Sequence, residues 1–258
     1  MNNSDNIKIK LSVIILTKNN ESTIGNTLNS VFNWVDEVII LDSGSQDNTL
    51  QIAEKFNCKI FYKEFNGFGE QKNYAVSLAN NDWILILDSD EVITTELKNE
   101  IHNKLFASSS VGFLIPITLV FLGKIMKFGR ENKMLHLRLF NRKYGNYNSS
   151  KVHENVVLTG ATESLKNHIL HYSYANLYEY FEKFNRYTSL ASEDLLIKGR
   201  TASSFEIILR FPIQFFQTYF IHRNFLNGYT GFIWSLCSAF YPVIKLAKLK
   251  NLRESKNL

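Results

Sequence analysis

The chain has 258 residues, 45% of them hydrophobic and 21% charged, which suits a sizeable buried core and excludes disordered or collagen-like classes. The net charge of +5 is unevenly placed: from Lys198 onward nine Lys/Arg face two acids, for +7, and the first 197 residues carry −2. Two cysteines, Cys58 and Cys237, form no framework spacing, so no disulfide and a reducing compartment are expected.

Strand and helix signals alternate over the first hundred residues. Lys10–Leu16 is a β-branched apolar run that reads as a strand; it is too short for a signal peptide and lacks the small-residue cleavage site. Ile24, Leu28, Val31 and Phe32 share one helical face. Glu37–Leu41 is a second strand, and Ser45 or Asp47 caps a helix that turns Ile52, Ala53 and Phe56 inward. Lys59–Tyr62 is a third strand, Gly67–Asn80 a third helix and Trp83–Leu87 a fourth strand. Near-continuous apolar strands separated by helices predict an α/β fold, a mostly parallel central sheet with helices on both faces. Gly112–Phe121, His136–Phe140 and Val156–Leu158 read as further strands, and the chain beyond Tyr174 as helical.

Ligands of open parallel sheets bind outside the carboxyl ends of the strands. Here those ends read TKNN, DSGSQD and DSDE. Residues i and i+2 of an extended strand share a side, so Asp88 and Asp90 aim at one point, with Ser89 turned away. Two hard oxygen ligands with open positions suit Mg²⁺ or Mn²⁺, completed by a diphosphate. Such an ion neutralises the acids that end a buried strand and takes up charge on a departing nucleoside diphosphate. Gly67-Phe68-Gly69 lacks the third glycine of a dinucleotide fingerprint, and His153-Glu154 lacks the second histidine of a zinc-protease helix.

Together, SVIILTKNN, VIILDSGSQDNT, GFGEQKNYA and DWILILDSDE, in that order over about residues 10 to 100, resemble the family-2 glycosyltransferases. The later RLFNR, VHE and basic aromatic tail look like the branch that builds the lipopolysaccharide or lipooligosaccharide core. The resemblance implies the A-type nucleotide-diphospho-sugar transferase fold. It places Thr17 and Asn19 at the base and ribose of a UDP-sugar, Asp42 at uracil and Lys72 near the diphosphate. Asp88 then faces the ribose or the metal's water, and Asp90 binds the metal. Transfer inverts the anomeric centre, so an α-linked nucleotide sugar yields a β-glycoside.

Inversion in one displacement needs a general base on the acceptor hydroxyl. The acid pair that many family members carry is missing; Glu154 in VHE is the candidate, with His153 as its rival or its orienting partner. His171, three residues after His168, is a candidate further metal ligand. Arg130, Arg138 and Arg142 form a basic set suited to phosphate or an anionic acceptor.

The expected division is a catalytic domain over residues 1–200, with a donor half at 8–110 and an acceptor half at 111–200, followed by a helical tail at 201–258. In the tail, Phe205–Ile221 and Gly231–Ile244 are crowded with aromatics and followed by Lys245, Lys248, Lys250 and Arg253. Neither run reaches the length of a spanning helix. Both suit amphipathic helices lying on an anionic membrane surface. Residues 203–253 thus place the protein peripherally on the cytoplasmic face of the inner membrane, near a lipid-linked saccharide acceptor. A sugar-nucleotide nucleotidyltransferase needs a glycine-rich basic loop that TKNN is not. A nucleic-acid-binding module gives DSDE no task, and no nucleic-acid partner is expected.

Overall fold

The computed structural model describes residues 9–130, 132, 134–148, 155–174 and 176–256. The chain divides into two compact units. One runs up to Ile117 and takes in Met134–His171; the other comprises Thr118–Lys133 and the chain from Tyr172 onward.

The first unit is built on the expected apolar strands. β1 (Ile9–Thr17), β2 (Val35–Asp42), β3 (Lys59–Tyr62) and β4 (Trp83–Asp88) form a parallel block in the order β3-β2-β1-β4. Both faces of this block are covered, which is why β1, β2 and β4 are apolar almost throughout. On one face Val13, Ile15, Val38, Ile40, Leu85 and Leu87 pack with α1 (Ile24–Asn29), α2 (Thr49–Ala53) and α4 (Thr95–Ala107). On the other, Ile14, Ile39, Leu41, Ile84 and Ile86 meet Ala75 and Val76 of α3 (Phe68–Leu78) and Ala79 just after it.

Beyond β4 the pairing is antiparallel except for one short parallel strand. β5 (Glu91–Ile93) follows β4 directly, β6 (Gly112–Phe121) comes next in the chain, and β7 (Lys124–Ile125) folds back on it. β8 (Leu135–Asn141) pairs with both β4 and β6. β9 (Gly145–Tyr147) and β10 (Val156–Leu158) form a separate two-stranded ribbon. β11 (Thr162–Ser164) joins β6 in parallel, and β12 (Ile169–Tyr174) pairs antiparallel with β5, setting His171 opposite Glu91. This mixed α/β sheet is the A-type arrangement that the resemblance implied.

Two local expectations shift. Asn48, not Ser45 or Asp47, precedes the first turn of α2, although the Asp47 carboxylate still accepts the Thr49 N–H at 3.0 Å. α4 was not anticipated; Thr94 caps it by accepting the Leu97 N–H at 3.2 Å.

The second unit has its own core of Leu119, Phe121, Met126, Tyr180, Phe184 and Cys237. Its helices are α5 (Leu177–Ile197), α6 (Ser204–Phe216) and α7 (Gly228–Lys256). A π turn at Gln217–Ile221 and left-handed backbone at Arg223 (φ +61°) and Gly228 (φ +63°) reverse the chain between α6 and α7. The two helices form a hairpin, with Phe211 against Phe240 (4.8 Å between centroids) and Phe215 against Phe232 (5.9 Å). The expectation that neither apolar run reaches spanning length is corrected here. Asn224–Ser255 is long and apolar enough to cross a membrane by length and composition, because α7 continues through Pro242.

Candidate functional site

At the carboxyl edge of the parallel block, Thr17 is in register with Asp42, and Leu16 with Asp88. Neighbouring strands lie about 4.8 Å apart, so the TKNN, DSGSQD and DSDE loops open on one edge.

The first two loops are fastened to each other. The Asn19 N–H donates to Ser45 Oγ at 2.9 Å, and Asn19 Oδ1 accepts the Gln46 N–H at 2.8 Å. The Asn20 N–H donates to Thr49 Oγ1 at 2.7 Å, and the Asn48 N–H to Glu21 Oε2 at 3.0 Å. Asn19 has a left-handed backbone (φ +54°), which asparagine tolerates better than most residues. Asp42 is buried and turned into its own loop, accepting N–H groups of Gly44 at 2.8 Å and Ser45 at 3.0 Å. Gly44 supplies the positive φ (+92°) that closes this turn. Thr17 is also buried, its Oγ1 3.3 Å from Asn20 Oδ1.

The DSDE segment is a tight turn between β4 and β5. The Asp88 N–H donates to Glu91 Oε2 at 2.9 Å, and the buried Ser89 carbonyl accepts from Thr27 Oγ1 at 2.9 Å. Asp88 lies on the α3 side of the sheet with Ile84 and Ile86. Arg138 sits at an irregularity of β8, where Phe113 pairs with Leu139 and Leu114 with Leu137. Its Nη2 donates to Asp88 Oδ2 at 2.9 Å and to Glu91 Oε1 at 2.7 Å. Asp90 turns to His171, with Oδ1 3.2 Å from Nε2.

The charges within this cluster differ in strength. Burial raises the Asp88 pKa, but the Arg138 and Lys72 charges outweigh it and hold the carboxyl down at about 2. Burial pushes Glu91 up to about 7 against the pull of Arg138. The His171 imidazole, which burial alone would lower, is raised by its bond to Asp90 and by the Glu91 and Asp88 charges. Lys72 is buried on α3, its Nζ 5.2 Å from the Tyr147 ring centroid. Asn73, beside it, is fastened to the Tyr147 backbone in both directions, donating to its carbonyl at 2.9 Å and accepting its N–H at 3.1 Å.

Among the described residues, no group of three or more His, Cys, Asp or Glu side chains is gathered to hold a metal by itself. Asp88 keeps one carboxylate oxygen clear of Arg138, and Asp90 stands against an imidazole. That donor set fits a hard dication whose remaining ligands come from a diphosphate and water.

His153 and Glu154 lie outside the described residues. On either side of them, Tyr147 pairs with Val156, and the Asn148 N–H donates to the Asn155 carbonyl at 3.0 Å.

Arg138 and Arg142 of the proposed basic set are engaged in separate local contacts. Arg138 is buried on the acids, Arg142 caps the end of α3 through the carbonyls of Val76 at 3.0 Å and Ala79 at 2.7 Å, and Arg130 is an exposed residue of the other unit. Each guanidinium answers a different local demand, which the spacing of arginines in sequence does not encode. Sequence reasoning also missed Glu91 and Thr27. Glu91 was visible as the last letter of DSDE; nothing marked Thr27.

Residues 12–156 match the profile of Glycosyl transferase family 2. The chain is 36% identical to an uncharacterized glycosyltransferase of Rickettsia felis, over 96% of this chain and 93% of that protein. It is 27% identical to the lipopolysaccharide core biosynthesis glycosyltransferase LpsC of Rhizobium meliloti, over 94% of this chain and 92% of the other. Among solved structures it is similar to S. aureus TarS 1–349 in complex with UDP-GlcNAc, at 18% identity and TM-score 0.49, over 96% and 92% of the two chains. The family profile covers the strands and loops that build the edge around Thr17, Asp42, Lys72 and Asp88, and the chain belongs to glycosyl transferase family 2.

Proposed function

We propose that this glycosyltransferase moves a hexose from a UDP-sugar to a lipopolysaccharide-core or other lipid-linked saccharide, with inversion to a β-glycoside. The observation that carries the reading is the single edge at which Thr17, Asp42 and Asp88 end neighbouring strands, with Lys72 close enough to act on Asp88. The fastened TKNN and DSGSQD loops form the seat for base and ribose, with Asp42 and Thr17 at its floor and Asn19 at its rim.

Lys72 places positive charge where the diphosphate gains negative charge as the bond to the sugar breaks. Asp90, with Asp88 and His171, would hold Mg²⁺ or Mn²⁺. Such an ion supplies further charge stabilisation for the leaving diphosphate. Glu154 takes the proton of the attacking acceptor hydroxyl, with His153 orienting it or standing in for it. The acceptor assignment is supported by the full-length similarity to a lipopolysaccharide core enzyme.

The tail supports a peripheral position on the cytoplasmic membrane face. Phe205, Ile208, Leu209, Ile213 and Phe216 form one exposed stripe along α6 that Phe220 continues in the π turn, and Tyr229, Phe232 and Phe240 are exposed on α7. Burying such a stripe at the headgroup boundary suits helices that lie in the membrane plane, with Arg210, Lys245 and Lys250 against anionic lipid. Lying on the surface is favoured over crossing it. Lys248 Nζ is held on α5 by Asn185, Thr188 and Ser189 at 2.7–2.9 Å, and Arg253 Nη2 by the Gly199 carbonyl at 2.7 Å, so α7 is occupied along one side.

A thermal-stabilisation screen of UDP- and ADP-sugars with MnCl₂ tests the donor, since a bound ligand raises stability with its affinity. Stabilisation by a UDP-hexose and transfer to a core saccharide supports the reading. Indifference to every nucleotide sugar sinks it.

A further inference from the structure

We propose that Glu91 and Arg138 are positioning residues that fix the Asp88 carboxylate for donor binding, an inference that rests on reading this edge as the donor site. Asp88 ends a strand, and its side chain is 41% exposed, so nothing in β4 itself selects one orientation. The selection comes from beneath. A single nitrogen, Arg138 Nη2, donates to Asp88 Oδ2 at 2.9 Å and to Glu91 Oε1 at 2.7 Å. The second oxygen of the same Glu91 accepts the Asp88 backbone N–H at 2.9 Å. Backbone and side chain of Asp88 are therefore held by one pair of residues from two strands, β5 and β8. Thr27 braces the turn from the opposite side through the Ser89 carbonyl.

Stability alone does not account for this arrangement. The Glu91 side chain is 1% exposed and that of Arg138 11%. Desolvating such a pair is so costly that well-packed apolar residues of similar volume serve at least as well. The pair is also incompletely satisfied, because Arg138 Nε is buried without a hydrogen-bond partner. What the ion pair supplies and an apolar pair does not is a directed contact to Asp88.

Arg138→Met alone strands Glu91 as an unpaired buried acid. The informative variant is thus the double replacement Glu91→Gln with Arg138→Met, which removes both charges of the buried pair and leaves Lys72 as the cation acting on Asp88, beside Arg138→Lys, which keeps the positive charge. UDP, ADP, GDP and CDP are titrated into each protein by calorimetry with MnCl₂, well below the unfolding temperature, and near-ultraviolet circular dichroism checks the fold. Wild type is expected to bind one of them. The folded double variant should bind it about tenfold or more weakly, the range in which residues supporting a ligand shell act, and Arg138→Lys should recover most of the loss. A double variant that is folded and keeps the wild-type dissociation constant, whatever its melting temperature, overturns the positioning role and leaves the donor reading intact. Wild type that binds no nucleotide overturns the donor reading and this inference with it.

Discussion

Asp90 Oδ1 lies 3.2 Å from His171 Nε2, so the second acid of the DSD turn meets an imidazole delivered by the β12–β5 pairing. The contact leaves Asp90 partly accessible, its side chain 17% exposed, at the edge where the donor diphosphate is proposed to sit. Asp90→Ala is expected to lower transfer by about 100-fold or more with an unchanged circular-dichroism spectrum. Full activity in this variant, or in wild type freed of metal by a chelator, would refute the assignment of Asp90 as a metal ligand.

Glu154→Gln tests the base. The amide keeps the shape of the side chain but accepts no proton, so donor affinity should be preserved and turnover should fall by about 10² or more. Turnover within a factor of two or so of wild type transfers the role to His153, which His153→Gln then checks.

The exposed stripe of α6 makes a separate claim about location. Ile208→Glu combined with Phe216→Glu places two charges on that face, where the wild-type side chains are 69% and 56% exposed. Binding to anionic vesicles in a flotation assay should be lost. Because both positions are exposed, stability should change by no more than about 0.5 kcal/mol for each substitution. Undiminished flotation would remove the stripe from any role at the membrane.

Glu37, at the opposite end of the strands, should matter for stability and not for chemistry. Its buried carboxylate accepts from Lys59 Nζ at 2.6 Å and from the Asn80 N–H at 2.8 Å, and Ser12 Oγ donates to it as well. Glu37→Ala is expected to cost about 3 kcal/mol, since these donors lose a charged partner. Burial raises the Glu37 pKa, but Lys59, Ser12 and Asn80 outweigh it and hold the carboxyl below the ordinary glutamate value. Its contribution is therefore complete above that ordinary value and is lost as the pH falls through the lowered one. In denaturant melts, the gap between wild type and Glu37→Ala should narrow on acidification; a gap that widens contradicts the linkage.

The parallel block was readable because burial on both faces leaves little choice of residue, so β1, β2 and β4 announce themselves as unbroken apolar runs. The loops at their carboxyl ends were readable for the complementary reason, polar residues where an apolar strand stops. What the sequence hid is long-range. A metal was assigned to neutralise DSDE, yet much of the positive charge comes from Arg138, fifty positions from Asp88 and brought near by the antiparallel β4–β8 register. Arg138 and Arg142 look alike in RLFNR but take opposite tasks, one under the acids and one on the carbonyls at the end of α3. β5 was hidden because Glu91 counted as an acid of the loop, and local pattern does not reveal that its carboxylate turns back beneath the strand it follows.

Asn73 carries a mechanical implication. It grips the Tyr147 backbone from both sides, one residue along α3 from Lys72, so the ribbon leading into the Val-His-Glu segment is anchored to the helix that bears the lysine. The lysine proposed for the leaving group and the glutamate proposed for the incoming hydroxyl thus share one anchor in Asn73. A change at Asn73, which is proposed for neither chemistry, is expected to disturb both.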